Sequence, residues 1–319
     1  MSNLPHCLTK ALPAILLVIC SSLGFARRSG QVSLSLAMAD REMEIYALAR
    51  TVIDMTSDEL LRAFPDEVSD LEFSDSQEEL PVLLRDVGDR VESLARDIPN
   101  TASREQVRRE LLRENLKVDD ASTQTYNYLV LPGMSGLWEE IRTDSKGHPV
   151  AVGNTQDSYF MTSGFAGVAL FFHPGSQAQS RFRLLGRQRS KPNAYVIAFA
   201  QRPEKAQPTG RLKTPYMLAP ARLMFQGLAW VDPRSHQILR MRTDLLAPRR
   251  DVMLARQTTE IWFSEVHFSS NPRVFWLPHE VLVTVEWNGQ IYRNRHRYSD
   301  YLVFSVESND KLEQPRIKK

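Results

Sequence analysis

Cysteine is almost absent from this sequence, and this excludes several kinds of chemistry. The chain has 319 residues and two cysteines, Cys7 and Cys20, both close to the N-terminus. If the segment that holds them is removed, no thiol nucleophile, cysteine-based zinc site or disulfide remains. The stability of the remaining protein must then come from a buried core.

Excess charge and long apolar runs are lacking as well. The formal net charge at pH 7 is +2, from 40 basic and 38 acidic side chains. A chain so nearly balanced gives no electrostatic reason to expect nucleic acid or an anionic membrane as its main partner. No apolar run approaches the roughly 20 residues that cross a bilayer as a helix, so the sequence predicts no transmembrane segment.

Familiar catalytic motifs are also missing. The sequence has no Gly-x-Ser-x-Gly nucleophile elbow, and the run Ser163–Gly167 lacks the lysine of a phosphate-binding loop. His279 and Glu280 begin like a zinc-protease motif, but Val283 stands where the second histidine is required. The sequence therefore predicts a protein that is not an enzyme and has no cofactor.

The first 26 residues have the features of a cleavable secretory signal peptide. Lys10 precedes an apolar run from Ala11 to Ile19, and the small residues Gly24 and Ala26 fit a signal-peptidase site. We therefore expect residues 1–26 to be removed and the mature protein to be exported, either to the periplasm or out of the cell.

Lipid anchoring through Cys20 is the alternative fate of this segment. The sequence Leu17-Val18-Ile19-Cys20 loosely resembles a lipobox, although Ile19 is bulkier than the small residue normally found before the cysteine. In that case Cys20 would become the first residue of the mature protein.

Residues 27–118 are predicted to be a helical N-terminal region. Its clearest helix begins near Ser76 and ends before Pro99, with apolar residues at three- and four-residue steps along one face. A further helix is predicted after it, because Ser103 and Gln106 have the spacing of a capping box. The apolar stripe favours packing on the protein's own sheet, with a partner-binding surface as the alternative. The apolar positions are Leu80, Leu83, Leu84, Val87, Val91, Leu94, Ala95 and Ile98 in the first helix, and Val107, Leu111 and Leu112 in the second.

Residues 119–308 are predicted to be an antiparallel β half-barrel domain, because short runs of aromatic and β-branched residues alternate with turns. A helical segment from Gly164 to Phe172 interrupts the strands, and residues 309–319 form a polar tail. The predicted fold class is α+β: a helical N-terminal region followed by a curved antiparallel sheet packed on a helix. The predicted strands are Tyr126–Leu131, Leu137–Thr143, Arg181–Arg187, Ala194–Gln201, Leu223–Val231, Gln237–Leu246, Gln257–Phe268, His279–Trp287, Gln290–Tyr298 and Leu302–Glu307.

Asn288-Gly289 predicts a two-residue hairpin turn, because both residues tolerate positive φ. Counting outward from the turn pairs Trp287 with Gln290 and, at the far end, His279 with Tyr298. One face of the hairpin is then apolar and expected to be buried, whereas the other is charged and expected to be exposed. The first face carries Val281, Val283, Val285, Trp287 and Tyr292, with His279, Asn294 and His296 towards the far end.

This face supplies the candidate site residues. If the helix fills the sheet only partly, the remaining apolar space suits acyl chains or a lipidated segment; if it fills the sheet completely, the same residues are core. His279 and His296 are diagonal neighbours that could share a metal ion, but no third ligand is found, and two hydrogen-bonded histidines are the alternative. No metal site is predicted. The candidate ligand-binding residues are Trp230, Val281, Val283, Val285, Trp287 and Tyr292, and the polar interior candidates are His279, Asn294 and His296.

The stretch Gly227–Arg240, with the turn Trp230-Val231-Asp232-Pro233, resembles the central hairpin of the bacterial periplasmic lipoprotein-carrier superfamily. The order of signal peptide, helix and antiparallel strands is also similar to that superfamily, over about Tyr126–Glu307. The resemblance implies a non-enzymatic apolar cavity that shields lipid chains in transit. Two further segments, Phe182–Pro203 and Arg240–Pro248, resemble a set of uncharacterised exported bacterial proteins, which implies no particular activity.

Three functions remain open from the sequence. The first is an exported binding protein that holds a lipid, an acyl group or a lipidated protein by burial. The second is a cell-envelope interaction or scaffold protein with a filled core, whose N-terminal helices bind a protein partner. The third is a metal-dependent enzyme that uses His279 and His296.

Overall fold

The structure is a computed structural model that describes residues 15–19, 42–132, 138–150, 160–163, 165, 167–190, 193–213, 220–269 and 271–304. Its helices are α1 (residues 42–47), α2 (Ser57–Ala63), α3 (Pro65–Val68), α4 (Leu80–Asp97) and α5 (Pro174–Gln177), with 3-10 turns at Val52–Asp54, Val168–Phe172 and Arg250–Val252. Among the described residues, no helix combines the length and the apolar character needed to cross a bilayer.

Strands dominate the described residues. They are β1 (Ile15–Ile19), β2 (Leu71–Phe73), β3 (Thr101–Leu112), β4 (Val118–Pro132), β5 (Trp138–Thr143), β6 (Phe160–Ser163), β7 (Ser180–Gln188), β8 (Ala194–Gln201), β9 (Gly210–Lys213), β10 (Ala221–Leu223), β11 (Phe225–Val231), β12 (Ile238–Leu245), β13 (Leu254–Phe268), β14 (Asn271–Trp287) and β15 (Gln290–Val303).

Two sheets are formed. The large sheet has 11 strands in the order β2-β7-β8-β11-β12-β13-β14-β15-β3-β4-β5, and every neighbouring pair in it is antiparallel. The small sheet has four strands in the order β10-β9-β1-β6. The predicted fold class, an antiparallel sheet with a helix in an α+β chain, is confirmed.

The predicted hairpin between β14 and β15 is confirmed. Asn288 and Gly289 have φ values of 50° and 73°, as a two-residue turn of this kind requires. The pairs run from Trp287–Gln290 to Glu280–Arg297, in the register counted from the turn. Consequently Val281, Val283 and Val285 share one face of the large sheet, which we call the inner face.

Helix α4 packs on the inner face, as its apolar stripe predicts. Its residues Leu80, Leu83, Val87 and Val91 are buried in one cluster with the valines of β14 and the 3-10 turn Val168–Phe172. Gly88 lets the helix approach this turn closely, because a Cβ there would lie 2.8 Å from the Nε2 atom of Gln177. That amide nitrogen donates to the carbonyls of Leu84 and Phe172, each at 2.8 Å, and so ties helix to turn.

Among the described residues, the N-terminal helices cover one end of the opposite face of the large sheet, the outer face. Val52, Leu60 and Val68 form a second core cluster there with apolar residues of β7, β8 and β11. Helix α2 begins at a capping box in which the Thr56 hydroxyl accepts from the Glu59 N–H. The strands β14, β15 and β3 present charged side chains on this face, as the hairpin register predicts.

The prediction of a helix after Pro99 is wrong, because Thr101–Leu112 is strand β3. Its burial alternates with a period of two, and the strand pairs with β15 on one edge and β4 on the other. The alternation is concealed in the sequence because Glu105 and Arg109, which are polar, occupy buried positions. Pairing on both edges satisfies the backbone and overrides the local capping signal.

The described residues include parts of the predicted C-terminal strand and of the predicted signal peptide. The final strand expected at Leu302–Glu307 is not separate, since β15 continues through Tyr298 to Val303. The predicted signal peptide lies largely outside the described residues; of it the structure describes only β1, which pairs with β6 and β9.

Candidate ligand site on the inner face

A buried ion pair lies on the inner face at one side of the sheet. The carboxylate of Glu105 on β3 accepts from Arg142 on β5, with 2.8 Å between Oε1 and Nη2. Neither side chain is more than 4% exposed. Arg142 also donates to the Thr162 carbonyl of β6 at 2.7 Å, which fixes the small sheet against the large one. Burial alone would raise the pKa of Glu105, but Arg142 and His296 lower it to about 2.

His296 extends this pair into a chain of hydrogen bonds. Its Nδ1 lies 2.8 Å from Glu105 Oε1, and its Nε2 lies 2.7 Å from the Thr162 hydroxyl. The Tyr298 hydroxyl donates to the same Glu105 oxygen at 2.9 Å. Burial lowers the pKa of His296 below its ordinary value, although Glu105 acts in the opposite sense. The imidazole is therefore neutral at neutral pH, and the chain of contacts holds β6 in place.

The middle of the inner face contains buried polar groups that lack partners. Gln257 and Thr259 on β13 are fully buried, and neither the Gln257 amide nor the Thr259 hydroxyl makes a hydrogen bond. Each unsatisfied buried group costs about 1–3 kcal/mol. Such groups persist where something outside the folded chain can satisfy them. Gln257 and Thr259 are therefore the polar part of the candidate site.

Apolar side chains surround this polar pair. The strand register puts Val285 opposite Gln257 and Val283 opposite Thr259. Trp287 and Tyr292, at the turn end of the same surface, are 4% and 3% exposed. The Trp287 indole donates to the Val252 carbonyl at 2.9 Å, so its ring is fixed against the 3-10 turn. Five of the six candidate ligand-binding residues, the three valines with Trp287 and Tyr292, thus share one surface.

Trp230, the sixth, does not lie on this surface. It points to the outer face, where it packs in the cluster with Val52 and Leu60. The guanidinium of Arg240 lies 4.4 Å from its ring centroid. Strand β11 puts Ala229 and Val231 on the inner face, so alternation assigns Trp230 to the other side.

The polar interior candidates are also divided. Asn294 and His296 are buried on the inner face, but His279 is exposed. The expected pair of His279 with Tyr298 is not formed, because the β13–β14 register shifts between Trp262 and Phe263 and so breaks the alternation before Glu280. His279 and His296 are therefore not brought together. Among the described residues, no group of three or more histidine, aspartate or glutamate side chains could hold a metal ion.

The small sheet contacts the inner face of the large sheet through β9 and β6. Gly210 of β9 touches the Phe225 ring of β11, and Thr162 of β6 contacts His296 and Asn294 of β15. Strand β1 lies between β9 and β6, with four backbone pairs to each. It therefore lies between the strand that contacts β11 and the strand that contacts β15.

A small enclosed cavity lies near the inner face. A cavity of about 20 Å³ lies beside the ion pair and is lined by apolar residues of α4, β4, β13, β14 and β15. That volume holds about one water molecule. Its lining includes Leu94, Ile98, Tyr128, Phe263, Trp276 and Tyr298.

Two open clefts lie elsewhere, at one end of β7 and β8. They have volumes of about 340 and 490 Å³ and share Arg187 and Tyr195. The Arg187 guanidinium lies 5.6 Å from the Tyr195 ring centroid and donates to the Asn193 side chain at 2.8 Å. Both shared side chains are thus engaged with the protein itself, and the inner face remains the stronger candidate.

Solved structures provide the comparison with known proteins. The chain is similar to a putative outer membrane lipoprotein-sorting protein domain from Vibrio parahaemolyticus, with 11% identity, 71% of this chain and 94% of that chain covered, and a TM-score of 0.39. It is also similar to a LolA superfamily protein from Nitrosomonas europaea, with 10% identity, coverage of 70% and 94%, and a TM-score of 0.33. A DUF1329 family protein from Desulfovibrio piger gives 11% identity, coverage of 73% and 96%, and a TM-score of 0.37.

The sequence matches no protein-family model, and no curated protein is significantly similar to it. A lipoprotein-sorting protein domain and a LolA superfamily protein are thus among the similar structures, but the likeness is weak, with TM-scores below 0.5. It carries no argument about ligand or activity, which must come from the inner face itself.

Proposed function

We propose that the exported form of this protein binds the acyl chain of a lipid or lipidated protein on the inner face, in the space that β1 fills. Gln257 and Thr259 carry this proposal, because they are fully buried polar groups without partners among the apolar residues of the inner face. A polar ligand group, such as the carbonyl of an ester or amide, would satisfy them. The protein acts in this proposal by burial and not by catalysis.

The position of β1 supports the proposal. Its residues Ile15–Ile19 belong to the segment predicted to be cleaved on export. Without them, β9 and β6 would be separated by about 10 Å, twice the spacing between neighbouring strands. That gap is wide enough for an extended hydrocarbon chain. Val283 and Val285 would form its apolar floor, opposite the polar pair of β13.

Ligand binding to the two forms of the chain tests this proposal. Residues 27–319 should bind a fluorescent fatty acid with one saturable site, whereas residues 1–319 should bind it at least about tenfold more weakly, since a competitor already occupies the site. Equal binding to both forms would show that β1 does not occupy the site. Absence of binding to residues 27–319 would refute the acyl-chain function.

A pair of substitutions on one strand locates the site. Val283→Trp should block the fatty acid in residues 27–319, because the larger ring fills the floor of the space. Leu282→Trp is the matched control, since Leu282 lies on the outer face of the same strand and is only partly buried. Urea unfolding of both variants separates blocked binding from lost folding. Full binding by a folded V283W protein would contradict the assigned location.

A scaffold function is the second candidate. It is favoured by the tight packing of Trp287 and Tyr292, and by the exposure of Leu48, which is 92%, and of Leu61, which is 38%. Both leucines lie in the N-terminal helical part, on a surface that could contact an envelope protein. Leu48→Asp with Leu61→Asp should then abolish a defined cross-link to that protein and leave fatty-acid binding intact. If the double variant keeps the cross-link, the result counts against the scaffold function.

A further inference from the structure

Arginines are concentrated on the outer face where the N-terminal helices do not cover it. Arg293, Arg295 and Arg297 alternate along β15, and Arg104 and Arg108 do so on β3 beside it. These five residues are here called the arginine face. Their side chains are at least partly exposed, from 29% for Arg293 to 60% for Arg297.

The arrangement is electrostatically unfavourable for the folded chain alone. Arg295 and Arg108 lie directly opposite each other across the two strands, and like charges at such positions are destabilising. Two glutamates neutralise only part of the positive charge of the arginine face. Glu110 is shared by Arg108 and Arg293, and Glu280 is shared by Arg295 and Arg297.

The rest of the surrounding surface does not neutralise the excess positive charge. On β4, the neighbours are the exposed Thr123, Thr125 and Asn127, and on β14 they are the partly buried Leu282 and Thr284. Arg104 makes no ion pair with any residue that the structure describes. Five guanidinium groups against two carboxylates thus form a basic surface within a nearly neutral chain.

Regular strand pairing makes this surface an even array. The β14–β15 register is unbroken from Glu280 to Trp287, and the β15–β3 register is unbroken from Ile291 to Ser299. Guanidinium groups bind phosphate through two parallel hydrogen bonds, and they stay charged at any pH in which the protein folds. Laterally mobile phosphates can match such an array, whereas an acidic polypeptide would need carboxylates already in register.

We propose that the arginine face docks the protein on a membrane surface that carries anionic phospholipids. The docking contact is on the outer face, so the inner face of the same sheet stays accessible to its own ligand. The proposal does not depend on that ligand, because the arginines and the acyl-chain site lie on opposite sides of β15.

Vesicle sedimentation of the full chain tests the docking surface. The protein should partition onto vesicles of phosphatidylglycerol and phosphatidylcholine in equal parts, but not onto pure phosphatidylcholine, and the binding should fall as salt is raised. The variant R104Q/R295Q/R297Q should bind about a hundredfold more weakly, since each arginine near such a surface contributes about fivefold. These three changes leave Glu110 with both of its partners.

Two further variants keep the test decisive. R50Q/R85Q/R96Q removes the same charge from exposed positions in or next to the helices and should bind like the parent chain. Glu280→Gln adds net positive charge to the face and should strengthen binding about fivefold. Equal weakening by both triple variants, or no gain in E280Q, would overturn the proposal. Binding to polyglutamate without binding to anionic vesicles would also overturn the proposal and would indicate an acidic protein partner instead.

Discussion

Replacing Glu105 with glutamine should destabilise the folded protein more than any other single change of one charge that the described residues offer. The carboxylate neutralises Arg142 and accepts from His296 and Tyr298 in a site that water does not reach. E105Q leaves the Arg142 guanidinium buried without a counter-charge. Breaking a buried ion pair in this way costs about 3–5 kcal/mol.

The acid titration of the parent chain gives a second route to the same magnitude. The pKa of Glu105 is about 2 in the folded protein and 4.5 at its ordinary value, and such a difference contributes about 3 kcal/mol at neutral pH. Because the folded pKa is the lower one, this stability is present above pH 4.5 and is lost as the pH falls towards 2. The pKa of His296 is also lowered in the folded protein, so the unfolded chain binds its proton more readily. Stability is therefore lost as well when the pH falls below the ordinary histidine pKa of 6.5.

Urea unfolding at several pH values is the assay. At pH 7 the free energy of unfolding of E105Q should be about 3–5 kcal/mol lower than that of the parent chain. The difference should shrink between pH 4.5 and pH 2, as the parent's carboxylate takes up its proton. Glu286→Gln, at an exposed pair with Arg256, is the control and should cost less than about 1 kcal/mol.

The double variant E105Q/R142M separates charge from packing. Removing both charges should restore much of the stability, because no unpaired ion remains buried. The reasoning is refuted if E105Q costs less than about 1 kcal/mol at pH 7, which would be the cost of an ordinary hydrogen bond. A pH-independent difference would equally refute it.

Three further predictions concern stability and can be checked by urea unfolding. Gln257→Leu should stabilise the unliganded chain by about 1–2 kcal/mol, because it removes two unsatisfied polar atoms; destabilisation would mean that the amide has a partner. Gly186→Ala should cost more than about 3 kcal/mol, since φ is 145° and a Cβ would lie 1.9 Å from the Glu72 carbonyl oxygen; a smaller cost would show that β2 is loosely held. Gly289→Ala should cost about 1 kcal/mol at its φ of 73°, whereas Asn288→Gly should be nearly neutral; equal effects would contradict the turn.

The sequence correctly predicted the elements that depend mainly on residues close to one another in the chain. The hairpin at Asn288-Gly289 and helix α4 follow from a turn preference and an apolar stripe; the hairpin has the predicted register, and α4 begins at Leu80 instead of near Ser76. Strand β3 was missed because Glu105 and Arg109 interrupt the apolar alternation on its buried side. Only partners distant in the sequence make those polar residues compatible with burial.

The candidate site could be predicted in part. The valines of β14 were predicted to share one face because the alternation continues unbroken from the turn. His279 was placed wrongly because it lies beyond a register shift that no local feature of the sequence indicates. The arginine face was missed because the net charge of the chain averages over all its residues. The alternation of Arg293, Arg295 and Arg297 in the sequence was the available signal.

The position of β1 has a consequence for the order of events in the life of the chain. Its partners in β6 and β9 are far away in the sequence, so its two ladders close late during folding. The sequence predicts that residues 1–26 are an export signal, and a chain that closed these ladders first would bury part of that segment between β9 and β6. If the prediction is right, slow pairing of distant strands would keep the precursor open to export, and a change that speeds up folding should increase the fraction retained inside the cell.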